Sequence, residues 1–450
     1  MLPERLPAAV TRRGTRLGLA VGVWGVLVSQ VLLYPGVEDV VVVLGGDATV
    51  RAGMWFLVAE FAAFVTFASV WGAASDAVGR RMPLAAAGAF GGAAGYLGLA
   101  AAPALGLPFA GVLVVRILGG AATIGAFSLS ITALADLAGG NGRNMGAAGI
   151  AIGLGAALGS VVGGRLADAD PFYPVYAAAA TLAAVGLLFL ALPEDDLGGT
   201  RLRVGDALRG LRRQPALAVP YAFGFIDRMT AGFFALVGVF YFRTAFGLDA
   251  AGAGLALAAF FVPFALLQYP AGMLSDRIGR AVPVVAGSVC YGLGIVAVGI
   301  APALWLAVAA MVAVGALGAL VAPATMALVT DVATPATRGA ALGGFNVFGS
   351  LGFLAGFLLG GLTTSTAGYA AAFLVVGFSE VGIALLAARA VWRLAGGAGG
   401  RPPGGGPPGG GARRPGGLLS NGGPTPPRRS GPPAAGAGGK DGVGSPLPPS

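Results

Sequence analysis

Long apolar runs, separated by short polar clusters, fill the chain as far as residue 393. Roughly 20 apolar residues cross the hydrocarbon core of a bilayer as a helix. The pattern therefore predicts spans over 17–36, 53–75, 82–102, 107–135, 144–166 and 172–192, then over 217–242, 250–274, 282–302, 304–330, 338–363 and 368–393. They form two sets of six. Arg12, Arg13 and Arg16 precede the first run, as basic residues precede a secretory signal. Its apolar stretch is too long, however, lacks a small-x-small cleavage site and leads into eleven further spans, so a retained first helix is expected.

Composition agrees with the pattern: 56% of the 450 residues are hydrophobic and only 10% charged. The fold class expected is an all-α membrane protein, with 12 transmembrane helices in two pseudo-symmetric six-helix bundles. There is no His, and Cys290 is the single cysteine, which removes disulfides, thiolate or imidazole metal sites and His-dependent catalysis. The one lysine, Lys440, precedes Asp441, whereas a phosphate-binding loop needs Lys followed by Ser or Thr. No enzyme, cofactor or metal is expected, and transport would draw on a gradient.

Basic residues orient the spans. With the N-terminus inside, 23 of the 28 Lys and Arg are cytoplasmic, Arg51, Arg165 and Arg243 lie outside, and Arg116 and Arg228 lie within spans; the reverse orientation would invert the positive-inside bias. The expectation is a multi-pass protein of the cell (plasma) membrane with both termini cytoplasmic. It divides into an N-terminal segment 1–16, a bundle 17–192, a basic linker 193–216, a second bundle 217–393 and a Gly/Pro/Arg-rich tail 394–450. The linker reads either as a tether or as a lipid-contacting amphipathic helix. The tail has the composition of a disordered segment. The +9 net charge is distributed as topology requires, so no nucleic acid is expected as a partner.

The two sets of spans are a duplication. GAASDAVGRRMPL, 72–84, returns as GMLSDRIGRAVPV, 272–284, with Asp76, Gly79 and Arg80 matched at an offset of 200 by Asp276, Gly279 and Arg280. Asp136 and Arg143 return as Asp331 and Arg338 at an offset of 195. In the fifth and eleventh spans Gly155, Gly159, Gly163 and Gly164 keep the same intervals as Gly352, Gly356, Gly360 and Gly361. Glycines four apart make a smooth helix face on which another helix packs closely.

These motifs resemble those of the major facilitator superfamily. GAASDAVGRRMPL is similar to its signature loop between the second and third helices, G-x-x-x-D-x-x-G-R-[RK], and GMLSDRIGRAVPV to the counterpart between the eighth and ninth. Arg116, with Gly120 in RILGGAA, resembles the fourth-helix signature. The fifth-span glycines resemble the drug:proton antiporter signature G-x8-G-x3-G-P-x2-G-G, with Ser160 in place of its proline. The resemblance covers residues 15 to about 393 and implies alternating access around a midplane site lined by the first, fourth, seventh and tenth helices. Gly72, Asp76, Gly79, Arg80, Gly272, Asp276, Gly279 and Arg280 would then form a cytoplasmic latch, the glycines permitting tight reversals and the charges making contacts that break when that side opens.

Ionisable residues at bilayer depth are costly unless they face a cavity or a partner. Asp227 and Arg228 lie mid-way along the seventh span, Arg116 in the fourth, Glu60 in the second and Glu380 in the twelfth. The resemblance puts Arg116, Asp227 and Arg228 beside the transport path. Neighbours on a helix point about 100° apart, so Asp227 and Arg228 cannot face one spot. Asp227 is the first candidate proton carrier, against a static ion pair with Arg228 or Arg116; Glu60 is the second. Glu380 is set aside as peripheral. Gln30, 197 residues before Asp227, would hydrogen-bond substrate from an equivalent depth of the first span. Trp24, Phe225, Phe233, Phe234 and Trp305 would suit a hydrophobic solute, although packing or contact with lipid is the commoner use of such residues.

The function expected is secondary active transport of a small molecule, with proton-coupled efflux of hydrophobic compounds ahead of a metabolite symporter and of a non-transporting sensor or scaffold. The expected partners are the solute, protons and the lipid bilayer, and the protein is expected to be a monomer.

Overall fold

The computed structural model describes residues 8–137, 141–193, 211–334 and 337–398. Most of the linker and the tail lie outside the described residues. Among those described, every regular element is a helix. The first span is Ala8–Val31. It stops short of residue 36 because Pro35 offers no N–H and restricts the residue before it. The chain turns there and forms a short helix, Val37–Val43, in the stretch between the first two predicted spans. The second to sixth spans are Val50–Val78, Met82–Ala101, Phe109–Asp136, Asn141–Ala169 and Tyr173–Ala191.

The seventh span is continuous over Pro215–Phe246 but not uniform. An α-helix over Ala218–Phe233 passes into a π-helical turn, Phe234–Gly238, and resumes as Val239–Phe246. The eighth to tenth spans are Ala250–Ile278, Ala281–Gly299 and Leu304–Val332. The last helical stretch, Arg338–Ala398, is broken at Gly368, where φ is 84° and ψ 174°. Its 59 apolar-rich residues would measure about 90 Å as one rod, three bilayer cores. Gly368 therefore separates the eleventh and twelfth spans. Among the described residues, eleven hydrophobic helical stretches thus make twelve crossings.

Equivalent devices end equivalent helices in the two halves. Thr49 caps the second span by accepting a hydrogen bond from the Ala52 N–H at 3.2 Å, and Asp249 caps the eighth from Gly252 at 2.7 Å. Gly79 and Gly279 close the same two helices with φ of 70° and 86°, a region that L side chains enter only at a cost.

The glycine ladders face backbone. Gly155, Gly159 and Gly163 of the fifth span sit on the carbonyls of Trp24, Val28 and Leu32 in the first. Gly352 and Gly356 of the eleventh sit on the carbonyls of Phe225 and Met229 in the seventh, and Gly360 lies on the Phe233 side chain. The register between the first and seventh spans is therefore 201, not 197. Gln30 corresponds to Ala231, one helical turn from Asp227, which corrects the depth inferred from their spacing. The fourth glycine of each ladder reaches the other half: Gly164 lies on Ala250 of the eighth span and Gly361 on Met54 of the second.

The halves also meet through Gly254 against the Ser160 carbonyl and through Phe61 stacked on Phe353, centroids 4.6 Å apart. The fifth span runs unbroken through Ser160, whose hydroxyl donates to the Ala156 carbonyl at 2.6 Å.

Candidate functional site

Charges inside the spans sort into two unlike groups. In the N-terminal half the Arg116 guanidinium lies 2.6 Å from the Glu60 carboxylate, with side chains 3% and 1% exposed. Arg116 also stands over the rings of Phe56 and Tyr96, at 4.6 and 5.3 Å, where the ring faces favour a cation. The Tyr96 hydroxyl reaches the Ser29 carbonyl at 3.2 Å. One acid meets one base in an enclosed, balanced pair. Arg116 therefore pairs with Glu60, and the alternative of an Asp227–Arg116 pair is not realised. Gln30 is buried in the first span, and its Nε2 has no hydrogen-bond partner.

In the C-terminal half the two neighbours on the seventh span diverge, as their angular separation requires. Arg228 reaches the eleventh span, donating to Asn346 Oδ1 at 3.2 Å and lying against Gly349. Asp227 interacts electrostatically with Arg228, with Tyr291 of the ninth span and with Glu380 of the twelfth. Its Oδ1 is enclosed and has no hydrogen-bond partner among the described residues. Glu380, set aside on the sequence as peripheral, is 0% exposed and packs against Gly292 of the ninth span. Its position in the twelfth helix says nothing of which face it occupies; the close approach of Gly377 and Gly292 turns that face inward.

The aromatic candidates divide as well. Phe233 and Phe234 are fully buried in a ring cluster with Phe260 and Phe373, so they pack the bundle. Trp305 is exposed at the start of the tenth span, while Trp24 and Phe225 are half-buried.

Each signature loop is tied to its own half. Arg81, rather than the motif-matched Arg80, pairs with Asp136 at 2.6 Å, and Arg280 pairs with Asp276 and, at 3.4 Å, with Asp331. The reason is register: Arg81 and Arg280 each stand immediately before the next helix, at its N-cap, because the second loop is one residue shorter. Gly72 and Gly272 lie in open or ordinary van der Waals surroundings.

At the opposite end the halves are joined by charge. Arg243, closing the seventh span, donates to both oxygens of Asp39 at 2.6 and 2.9 Å, with Glu38 3.6 Å away. Asp168, at the end of the fifth span, accepts from the Ala250 and Ala251 N–H groups at 2.9 and 3.0 Å, capping the eighth.

The major facilitator superfamily model matches residues 19–244 and 221–430. This chain belongs to that superfamily. It is similar to the tetracycline resistance protein, class G, of Vibrio anguillarum, 31% identical over 319 residues, covering 68% of this chain and 78% of that protein. The class C tetracycline resistance protein of Escherichia coli is 30% identical over 273 residues, covering 58% and 67%. Among solved structures, a bacterial homologue of the human lysosomal transporter Spinster, inward-facing and unoccupied, matches with a TM-score of 0.67 at 14% identity, over 86% of this chain and 99% of that one. The human organic anion transporter MFSD10 matches at 0.60 and 20%, over 86% and 100%.

The superfamily protein described here is thus a multi-pass membrane transporter and not an enzyme. Residues that sequence reasoning passed over include Arg81, Asn346, the Asp39–Arg243 contact and the pair Tyr96 and Tyr291. The tyrosines were visible, since they recur at 195, the offset that relates Asp136 to Asp331.

Proposed function

We propose that the protein exports small hydrophobic compounds in exchange for protons, by alternating access, as a monomer in the cell membrane with both termini cytoplasmic. Asp227 carries the reading. Its carboxylate lies part-way along the seventh span, about two helical turns before a π-helical turn, a feature that often marks functional helices. Of the two candidate carriers, Glu60 is paired with Arg116 as part of the framework, and the seventh-span acid is the one that remains. Arg228 and Asn346, bridging the seventh and eleventh spans, supply polar contacts at the same level. The similarity to two tetracycline resistance proteins favours efflux and makes tetracycline the first solute to test.

In this orientation the signature loops are cytoplasmic, and the contacts between halves at Asp39–Arg243 and Asp168–Ala250 lie outside. Such a state is closed to the exterior. The driving force is adequate, because one charge moved across 100 mV supplies about 2.3 kcal/mol.

The test uses proteoliposomes holding a pH-sensitive dye, with tetracycline and a panel of lipophilic cations and metabolites. Proton movement opposite to solute movement, abolished by Asp227→Asn, is the expected result. Movement in the same direction would replace the antiporter with a symporter. Solute-driven proton flux that persists in Asp227→Asn would remove Asp227 from the coupling role.

A further inference from the structure

Charge does not balance around the seventh span as it does around Glu60 and Arg116. Asp227 interacts with Arg228 on one side and with a second acid, Glu380, on the other. Arg228 spends part of its donor capacity on Asn346. Glu380 has no cation at all: both of its carboxyl oxygens lack hydrogen-bond partners among the described residues, and its side chain is 0% exposed. The groups facing it are the Ser288 hydroxyl and Tyr291 from the ninth span, with Asp227 from the seventh. Tyr291 in turn lies against Thr230. None of these is cationic. An enclosed carboxylate with no cation beside it costs several kcal/mol, a second acid within its field adds to that cost, and protonation of one of the two relieves it.

We propose that Glu380 and Asp227 form one proton-binding site between the seventh, ninth and twelfth spans, holding a single proton that balances Arg228, with Glu380 as its enclosed member. Asp227 is half-buried, whereas Glu380 is wholly enclosed. A proton arriving at Asp227 therefore has an acceptor that no solute touches. Ser288 is placed to donate to Glu380 whenever that carboxyl is ionised. The close approach of Gly292 and Gly377, each against the other's backbone carbonyl, holds the twelfth span near enough to the ninth for this contact.

The site deepens the proton-coupled reading, and its test needs no solute. Infrared spectra of the purified full-length protein in lipid, recorded at neutral pH, should show the carbonyl stretch of a protonated carboxylic acid in an apolar setting. Glu380→Gln, nearly isosteric, should abolish that band, and Asp227→Asn should move or remove it. Should Glu380→Gln not accumulate, Ser288→Ala carries the test, because loss of the facing hydroxyl shifts the band without deleting the acid. A wild-type spectrum without the band, or a band unaltered by Glu380→Gln or by Ser288→Ala, would overturn the site. A protein that shows the band yet moves no solute refutes the export reading and leaves the site standing; an exporter without the band does the reverse.

Discussion

Arg243 holds Asp39 through two hydrogen bonds, 2.6 and 2.9 Å, and so ties the end of the seventh span to the short helix after the first. The side chains are 19% and 31% exposed, so water and salt weaken the attraction without removing it. A two-pronged, charge-assisted contact of this kind is worth about 1–2 kcal/mol, a factor of roughly 5–30 in a two-state population. Arg243→Gln should shift the protein by that factor toward the state open at this end. Alkylation of a cysteine introduced beside Phe240, in a Cys290→Ser background, measures the shift. The charge swap Arg243→Asp with Asp39→Arg should restore the original rate, and an unchanged rate in Arg243→Gln would show that the contact does not hold the end closed.

The Glu60–Arg116 pair should behave as framework. Removing one partner leaves an uncompensated charge in the bundle, a loss of about 3–5 kcal/mol. Glu60→Gln or Arg116→Met alone should therefore lower the thermal midpoint in detergent. The double change Glu60→Leu with Arg116→Met should recover most of it. Solute flux per folded molecule should survive in the double variant. Selective loss of proton coupling there would place Glu60 in the transport path.

Gly356 faces the Met229 carbonyl and the Phe233 N–H across the seventh–eleventh interface. A methyl group there forces the two helices apart, an overpacking cost of about 1–3 kcal/mol. Gly382, in the twelfth span, has nothing within 4 Å of an added Cβ, and Gly382→Ala should stay within about 0.5 kcal/mol of wild type. Thermal stability of the two alanine variants, measured side by side, checks the contrast. Equal stability would mean the ladder tolerates a wider interface.

The signature loop gives a third comparison. Arg81 is enclosed and bonded to Asp136, while Arg80 is exposed. Arg81→Ala should cost about 1–3 kcal/mol, through the partly buried Asp136 carboxylate left without this charged donor. Arg80→Ala should fall within about 0.5 kcal/mol. Thermal midpoints of the two variants decide between them, and a larger loss for Arg80→Ala would contradict the register described here.

Much of the architecture was readable before any coordinates. Span number, duplication and the glycine intervals follow from local periodicity and from the cost of exposing backbone to lipid, both properties of contiguous sequence. Even so, a one-residue difference in loop length moved the working arginine from Arg80 to Arg81, and a constant offset of 197 mispaired Gln30 with Asp227 by one helical turn. Motif alignment counts residues; helix packing counts turns.

The sequence by itself determined a twelve-span, duplicated membrane protein with charges at bilayer depth, because hydrophobic length and the positive-inside bias act residue by residue along the chain. Only the tertiary structure decided which charges neutralise one another. Glu60 and Arg116 are 56 positions apart, Arg243 and Asp39 204; Asp227 and Glu380 lie on helices separated by four others. Electrostatic interaction depends on distance through space and on the medium between the groups. Those two quantities exist only once the helices have packed, and they give one buried acid a cation at 2.6 Å and leave another with none among the described residues.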